Sequence, residues 1–214
     1  GEIFNYPELR RELKDRGHRF YTQTDTEVLV HGYEEYGMDM LSRFNGQFAF
    51  ALWDKNKETL VLGRDRVGIR PLFYHIKDGR LVFGSEIKAV FADPRIPRQI
   101  DTQTLCDIFT CWAPLAPETA FDGILQVPPG SFGLFDGKDL DIHSYWKPEF
   151  VETDPWVRPL SEWTEELTSL LHDATRIRLR ADVPVGAYLS GGLDSTYTTS
   201  IVRNKFNNLL SSFS

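Results

Sequence analysis

The sequence predicts an α+β protein in two parts. Residues 1–150 read as helices and antiparallel strands in layers, and from about residue 160 an α/β unit begins. Three observations lead there. Short runs rich in β-branched and aromatic residues crowd the stretch from Gln47 to Phe83, divided by turns bearing Asp, Asn and Gly. Two helical patterns precede them. After an irregular, proline-bearing segment, one long amphipathic pattern leads into an apolar strand and a glycine pair.

The elements follow in order. Pro7–Arg16 reads as a helix with Leu9 and Leu13 on one face, ended by Gly17. Thr24-Asp25-Thr26-Glu27 has the form of a capping box, a Thr with a Glu three residues on, opening a helix that Gly37 stops. Strands are expected at Gln47–Trp53, Thr59–Leu62, Pro71–His75 and Arg80–Phe83. The first is nearly all apolar, as in a strand covered on both faces, which places helices outside the sheets. Short helices are expected at Ser85–Phe91 and Asp101–Phe109, a turn at Val127–Gly130 and a strand at Ser131–Phe135. Lys147–Pro159 is the expected linker. Ser161 is read as the cap of a long helix whose apolar stripe runs Trp163, Leu167, Leu170, Leu171, Ala174 and Ile177. A strand at Val183–Leu189 and a helical stretch through Phe206 complete the chain.

Composition narrows the function. Of 214 residues, 41% are hydrophobic and 26% charged, enough to bury a core. With 24 basic against 31 acidic residues the net charge is −7, so no nucleic-acid partner is expected. The longest strongly apolar run, Phe48–Trp53, is far short of the ~20 residues of a membrane span. No secretory leader pattern opens the chain, and its two cysteines, Cys106 and Cys111, are spaced off a common helix face. Thiols in a reducing cytoplasm are the expectation. The five histidines show neither HxH nor HExxH spacing, so the sequence gives no support for a zinc site.

The sharpest chemical signal is Leu189-Ser190-Gly191-Gly192-Leu193-Asp194-Ser195 between a strand and a helix. Paired glycines permit positive φ and close approach of an anion. Their amides, with those of the helix start, make a positive nest, and Ser190 and Ser195 add hydroxyls. Asp194 repels phosphate by itself, so its role in such a site is to hold a divalent metal. The competing reading is an ordinary turn with Asp194 as a helix cap. The Gly-Lys-Ser/Thr ending of a Walker A loop is absent.

Ser-Gly-Gly-x-Asp-Ser after an apolar strand resembles the pyrophosphate loop of the ATP pyrophosphatases, which split ATP into AMP and pyrophosphate to activate a carboxylate or carbonyl. With Arg178–Gly186 ahead of it, the region is similar to glutamine-dependent asparagine synthetases. The N-terminal part agrees. Gly1–Tyr6 resembles the Asn-Gly-Glu-Ile-Tyr-Asn stretch of that family's class II glutamine amidotransferase domain. Thr24–Glu27, Phe44–Phe50 and Arg64–Leu72 match its next landmarks in order.

The resemblance implies an incomplete αββα sandwich of the N-terminal-nucleophile hydrolase type over residues 1–150. It implies the start of a Rossmann-like ATP pyrophosphatase domain over 160–214. It assigns Gly1, Glu2 and Asp25 to glutamine, with Asp25 on the substrate ammonium. It assigns Leu189, Ser190, Gly191, Gly192, Leu193, Asp194 and Ser195 to ATP and pyrophosphate, with Asp194 on Mg²⁺. For Asp25 a helix-cap role competes, and for Glu2 that of a solvated charge. Arg64, Asp65, Arg66 and Arg70 are expected to form a structural ion-pair cluster or domain contact. The activity implied is hydrolysis of glutamine, adenylation of the aspartate β-carboxylate by ATP, and displacement of AMP by ammonia. The alternatives are another carboxylate acceptor, such as a sugar acid or secondary metabolite, or an inactive binding module. Small molecules are the expected partners, in the cytoplasm, with room for a homodimer. The family's nucleophile is an N-terminal cysteine whose α-amine is the base, and the Asn before Gly1 belongs to its oxyanion hole. Neither Cys106 nor Cys111 matches that nucleophile, so the chain is expected to be an interior fragment, or the ordered portion of a longer chain, without glutaminase activity of its own.

Overall fold

The computed structural model describes residues 1–150, 158–206 and 210–214. It divides into two compact units, Gly1–Pro148 and Glu149–Ser214. Of the expected linker, residues 151–157 lie outside the described residues.

In the first unit, β1 (Glu2–Ile3) leads into α1 (Tyr6–Asp15), which carries a proline in its first turn and buries Leu9 and Leu13. Gly17 follows at φ +100°, a conformation L side chains rarely adopt. Next come α2 (Thr26–Tyr36), a 3-10 turn at Gly37–Asp39 and α3 (Met40–Arg43). The expected capping box does not form. The N-cap is Asp25, without a side-chain cap bond. Glu27 instead accepts from the Tyr21 amide at 2.7 Å and the Thr22 amide at 2.8 Å, so it ties down the preceding loop.

The strands are β2 (Gly46–Gln47), β3 (Ala49–Asp54), β4 (Thr59–Arg64), β5 (Phe73–Lys77) and β6 (Arg80–Gly84). After α4 (Ile87–Val90) and α5 (Thr102–Cys111) come β7 (Leu125–Gln126), β8 (Ser131–Phe135) and β9 (Leu140–Ser144). They form a four-stranded antiparallel sheet in the order β3-β4-β8-β9, a three-stranded one in the order β6-β5-β7, and a separate β1–β2 pair.

Three apolar clusters show the layering. Leu9, Leu13, Val28, Leu29, Met40 and Leu41 pack with Phe50, Leu52 and Phe132, which joins α1–α3 to one face of the four-stranded sheet. Its other face meets the second sheet through Leu60, Leu62, Tyr74, Ile76 and Leu81. The far face of the second sheet places Phe73 and Val82 against Ile87, Val90 and Phe91. The order is helix, sheet, sheet, helix, the layering the resemblance implied. The period of two along each strand produces it: Leu60 and Leu62 point one way, and Phe73 and Tyr74 point to opposite cores.

One strand departs from expectation. β3 is an edge strand, with Trp53 58% exposed and Ala51 also exposed. The doubly covered strand is β4, where Val61 and Leu62 are fully buried. An all-apolar run records how hydrophobic a strand is, whereas sheet order decides whether both faces are covered.

The junction after β4 carries a second correction. Arg64 and Asp65 are buried, but among the described residues no ion pair joins Arg64, Asp65, Arg66 or Arg70. The side chains of Arg64, Asp65 and Arg66 bind backbone instead, that of Arg66 at the Ser42 carbonyl, 2.8 Å away. The fully buried Asp65 carboxylate accepts from the amides of Phe48 at 3.1 Å, Ile69 at 2.9 Å and Arg70 at 3.0 Å. Arg64 donates to the carbonyls of Arg70, Val127 and Gly68 and to the Gln126 side chain. Burial pulls its guanidinium below its ordinary pKa, and the charge of Asp65 opposes that. Tyr145 closes the junction by donating its hydroxyl to the Arg64 carbonyl at 2.9 Å.

The second unit contains α6 (Leu160–Arg178), β10 (Gly186–Tyr188), α7 (Leu193–Ile201), a π-helical turn at Val202–Phe206 and β11 (Ser211–Phe213). The N-cap of α6 is Pro159, which moves the expected cap Ser161 into the first turn. The apolar stripe of α6 is buried at Ile177, while Leu167 and Leu170 are 57% and 61% exposed. The sequence reading expects one strand here. A second, β11, runs parallel to β10, with Gly186 opposite Ser211 and Tyr188 opposite Phe213. β10 and β11 thus pair in parallel with α7 between them in the chain, the kind of connection parallel pairing requires.

The Asp65 junction generates the first prediction. Asp65→Asn replaces one accepting oxygen with a donor, which then faces a backbone amide. Hydrogen bonds to a charged group contribute ~1.5–3 kcal/mol each, so the substitution is expected to cost about 3 kcal/mol or more. Asp139→Asn, at an exposed position, is expected to stay within ~0.5 kcal/mol of the parent. Urea unfolding of the two variants side by side is the measurement. Equal midpoints would remove Asp65 from its place as the organiser of the junction.

Candidate functional site

Two sites were read from the sequence, one in each unit. In the first, Gly1, Glu2 and Asp25 come together on the β1–β2 pair. Glu2 lies opposite Gln47 and Ile3 opposite Gly46. Asp25 Oδ2 accepts from the Ile3 amide at 2.8 Å, which draws the start of α2 to β1. Asp25 holds the N-cap position of α2 but makes no side-chain cap bond, because its bonded oxygen goes to a strand 22 residues earlier in the chain. Its other oxygen has one contact, a 3.5 Å approach from the Thr26 hydroxyl, and so remains open to a further donor. Glu2 is exposed.

Backbone forms much of this site. A Cβ at Gly46 would lie 2.3 Å from the Glu2 carbonyl oxygen, so only glycine lets the two strands approach. A Cβ at Gly1 would lie 2.7 Å from the Gln47 carbonyl oxygen and 2.8 Å from the Phe48 Cα. The Phe48 amide is the one held by Asp65. Asn5 fixes the turn beyond β1: its Oδ1 accepts from the Asn45 amide at 2.9 Å, and its Nδ2 donates to the Arg43 carbonyl at 2.9 Å. The sequence reading named Phe44–Phe50 as a landmark and assigned it no contact with the site. Gly46, Gln47 and Phe48 are the residues it missed, and the signal was the glycine in Asn45-Gly46-Gln47. A hollow of about 650 Å³ lies elsewhere, between α2 and β3 and lined by Leu29, Tyr33, Leu52 and Asp54. Cys106 and Cys111 sit exposed on α5.

In the second unit, the loop Leu189–Ser195 joins β10 to α7 as expected. The Leu189 amide donates to the Phe213 carbonyl at 2.7 Å, which fixes the end of the strand. Gly191 adopts φ +80°. Gly192 is extended at φ −76° and is the N-cap of α7. With no side chain at the N-cap, the first amides of α7 have no side-chain cap, and Asp194 lies inside the first turn. The cap reading of Asp194 is excluded on that geometry. The Ser190 and Ser195 hydroxyls are 3.0 Å apart, and Ser195 also donates to the Gly192 carbonyl at 3.1 Å. A hollow of about 580 Å³ borders the helix start, lined by Asp194, Ser195, Thr198, Gly186 and Tyr188 among others. Asp194 is exposed and in no ion pair among the described residues. Leu193 is 84% exposed.

The arrangement offers free helix-start amides, two hydroxyls and one carboxylate around an open hollow. Such a donor set suits an anion and an oxygen-preferring cation together.

Comparison with known proteins agrees with both halves. Residues 1–146 match the family described as glutamine amidotransferase domain, and residues 166–214 match the one described as asparagine synthase. Asparagine synthetase [glutamine-hydrolyzing] 3 of Bacillus subtilis is 40% identical over 96% of this chain and 33% of its own length. Asparagine synthetase [glutamine-hydrolyzing] 1 of the same organism is 35% identical over 100% of this chain and 33% of its own. Amidase chry2 of Gibberella zeae is 34% identical over 94% of this chain and 30% of its own length. The chain thus spans about a third of the length of the curated relatives it matches. The first match takes in well over half of the 214 residues, and by it the chain belongs to the glutamine amidotransferase domain family.

Proposed function

We propose that this chain is part of a cytoplasmic glutamine-dependent asparagine synthetase. Its first unit would bind glutamine for hydrolysis to glutamate and ammonia. Its second unit would begin the site where ATP adenylates the β-carboxylate of aspartate, releasing pyrophosphate, before ammonia displaces AMP. The observation that carries the reading is the Asp25–Ile3 bond. It sets a carboxylate with one open oxygen beside the Gly1–Glu2 strand, where an amino-acid ammonium can be held. A charge-assisted contact of that kind contributes ~1.5–3 kcal/mol.

In the second unit, Gly191, Gly192 and the first amides of α7 would receive the phosphates, with Ser190 and Ser195 as hydroxyl donors. Asp194 would hold Mg²⁺, and its exposed carboxylate, without an ion-pair partner among the described residues, fits a hard cation that prefers oxygen. When bound, that ion neutralises the charge that develops as the α–β phosphate bond breaks. The amidase-named relative favours a second reading, in which the same two halves serve a different carboxylate acceptor.

Two variants of the full-length protein test the assignment. Asp25→Asn keeps an oxygen for the Ile3 amide and removes the charge. The glutamine specificity constant is expected to fall ~10- to ~150-fold, at ~1.4 kcal/mol per decade, while ammonia-dependent synthesis continues. Parent-like use of glutamine by this variant would refute the ammonium role. Asp194→Asn is expected to abolish pyrophosphate release and to spare glutamate release. Undiminished pyrophosphate release would take Asp194 out of the reaction. Collapse of both activities together would mark misfolding in place of a lost metal ligand.

A further inference from the structure

On the first unit, a group of side chains takes no part in the proposed glutamine site. His18 follows α1 and His31 lies on α2, 13 residues apart, and the fold brings their Nδ1 atoms to 3.3 Å. Glu34, one turn beyond His31, places Oε2 at 2.7 Å from His31 Nδ1 and 3.5 Å from His18 Nδ1. The far nitrogen of each ring faces another carboxylate. His18 Nε2 is 3.0 Å from Glu35, and His31 Nε2 is 3.6 Å from Glu27. The rings themselves are 16% and 14% exposed.

Proton placement leaves a gap at the centre. With the His18 Nε2–H donated to Glu35 and the His31 proton on the Nε2 that faces Glu27, both Nδ1 lone pairs and the Glu34 oxygen converge on one point. If His31 instead donates Nδ1–H to Glu34, its bare Nε2 faces the Glu27 oxygen, acceptor against acceptor. A cation resolves either arrangement. The charges agree: Glu27, Glu34 and Glu35 surround the two rings, and of the three only Glu35 has a guanidinium partner among the described residues, Arg16 at 3.0 Å. Glu27 is anchored where it stands: it accepts from the Thr22 hydroxyl and from the Tyr21 and Thr22 amides.

We propose that His18 Nδ1, His31 Nδ1 and Glu34 form a binding site for a divalent transition ion of the zinc class. Ligands ~2.0–2.1 Å from a tetrahedral ion stand about 3.3 Å apart. Two edges of the triangle, 3.3 and 3.5 Å, have that length already. The third, 2.7 Å, lengthens by a small turn of Glu34, whose side chain is 54% exposed. Two imidazoles and one carboxylate, with the remaining position open to water, are a donor set zinc accepts. The Glu35 carboxylate on the outer nitrogen of His18 fixes that ring's tautomer and raises the basicity of its metal-facing nitrogen, and Glu27 lies near the outer nitrogen of His31. The ion would clip the segment after α1 to α2. This inference stands apart from the glutamine reading.

The test uses the chain with Cys106→Ser and Cys111→Ser, which removes exposed thiols that would also take zinc. After chelator treatment it is titrated with Zn²⁺ by calorimetry and melted with and without the ion. One equivalent is expected to bind, with Tm rising by roughly 5 °C or more once Zn²⁺ exceeds Kd about 100-fold. His18→Gln is expected to abolish binding. Glu34→Gln, at an exposed position that threatens the fold least, is expected to weaken it at least ~10-fold. Co²⁺ in the same site should give the visible spectrum of a tetrahedral N/O complex. No stoichiometric binding would overturn the proposal and leave a proton alone in the cluster. Binding unchanged by Glu34→Gln and His18→Gln would overturn it as well, by moving the ion elsewhere.

Discussion

The first unit depends on one buried carboxylate. Asp65 is fully buried at the end of β4, and its oxygens hold amides from two directions: Phe48, between β2 and β3, and Ile69 and Arg70 in the following turn. Its backbone also takes part. The Asp65 amide donates to the Phe48 carbonyl at 2.9 Å, and its carbonyl accepts from Gly130 at 2.9 Å, ahead of β8. A buried charge is tolerated where its lone pairs are satisfied, and backbone amides satisfy these without needing a cation in contact. Arg64 complements it, with its fork directed to the carbonyls that the same turns leave over. The pair settles backbone groups of opposite kind at the place where both sheets and the β8 turn meet.

The candidate glutamine site takes its position from that junction. Asp65 fixes the Phe48 amide, and Phe48 with Gln47 forms the wall against which Gly1 rests. Gly46 admits the Glu2 backbone at a distance no side chain would allow. Asp25 completes the arrangement from the other side through the Ile3 amide. The site is thus assembled from backbone edges aligned by buried polar groups, and its precision follows from packing beneath it.

The second unit solves its problem locally. A parallel strand pair, a glycine at positive φ and a helix start arise within one stretch of chain, and few buried side chains support them: Ile177, Ile201 and Val202 are the hydrophobic ones among the described residues. Much of the apolar stripe of α6 is open to solvent, including Leu167 and Leu170. The loop chemistry needs few long-range contacts, since helix-start amides and a Gly-Gly turn carry their own geometry.

The sequence by itself determined whatever rests on local periodicity and turn chemistry. The helices ended by Gly17 and Gly37, the strand at Ser131–Phe135, the β10–loop–α7 order and the mixture of helices and antiparallel strands in residues 1–150 were all legible, because each is encoded within a few residues. Tertiary structure decided the rest. Which strand is covered on both faces depended on sheet order, so the all-apolar β3 proved an edge and β4 the centre. Arg64, Asp65, Arg66 and Arg70, close in sequence with alternating charges, read as an ion-pair cluster or domain contact, yet Arg64 and Asp65 found backbone partners, because buried amides and carbonyls compete for the same groups. Glu27 left the capping box for a loop folded back over it. His18 and His31 carry no motif spacing, and only the packing of α1 against α2 brings their nitrogens together. In each case the deciding partner lies many residues away, where sequence pattern has no reach and the burial of polar groups sets the outcome.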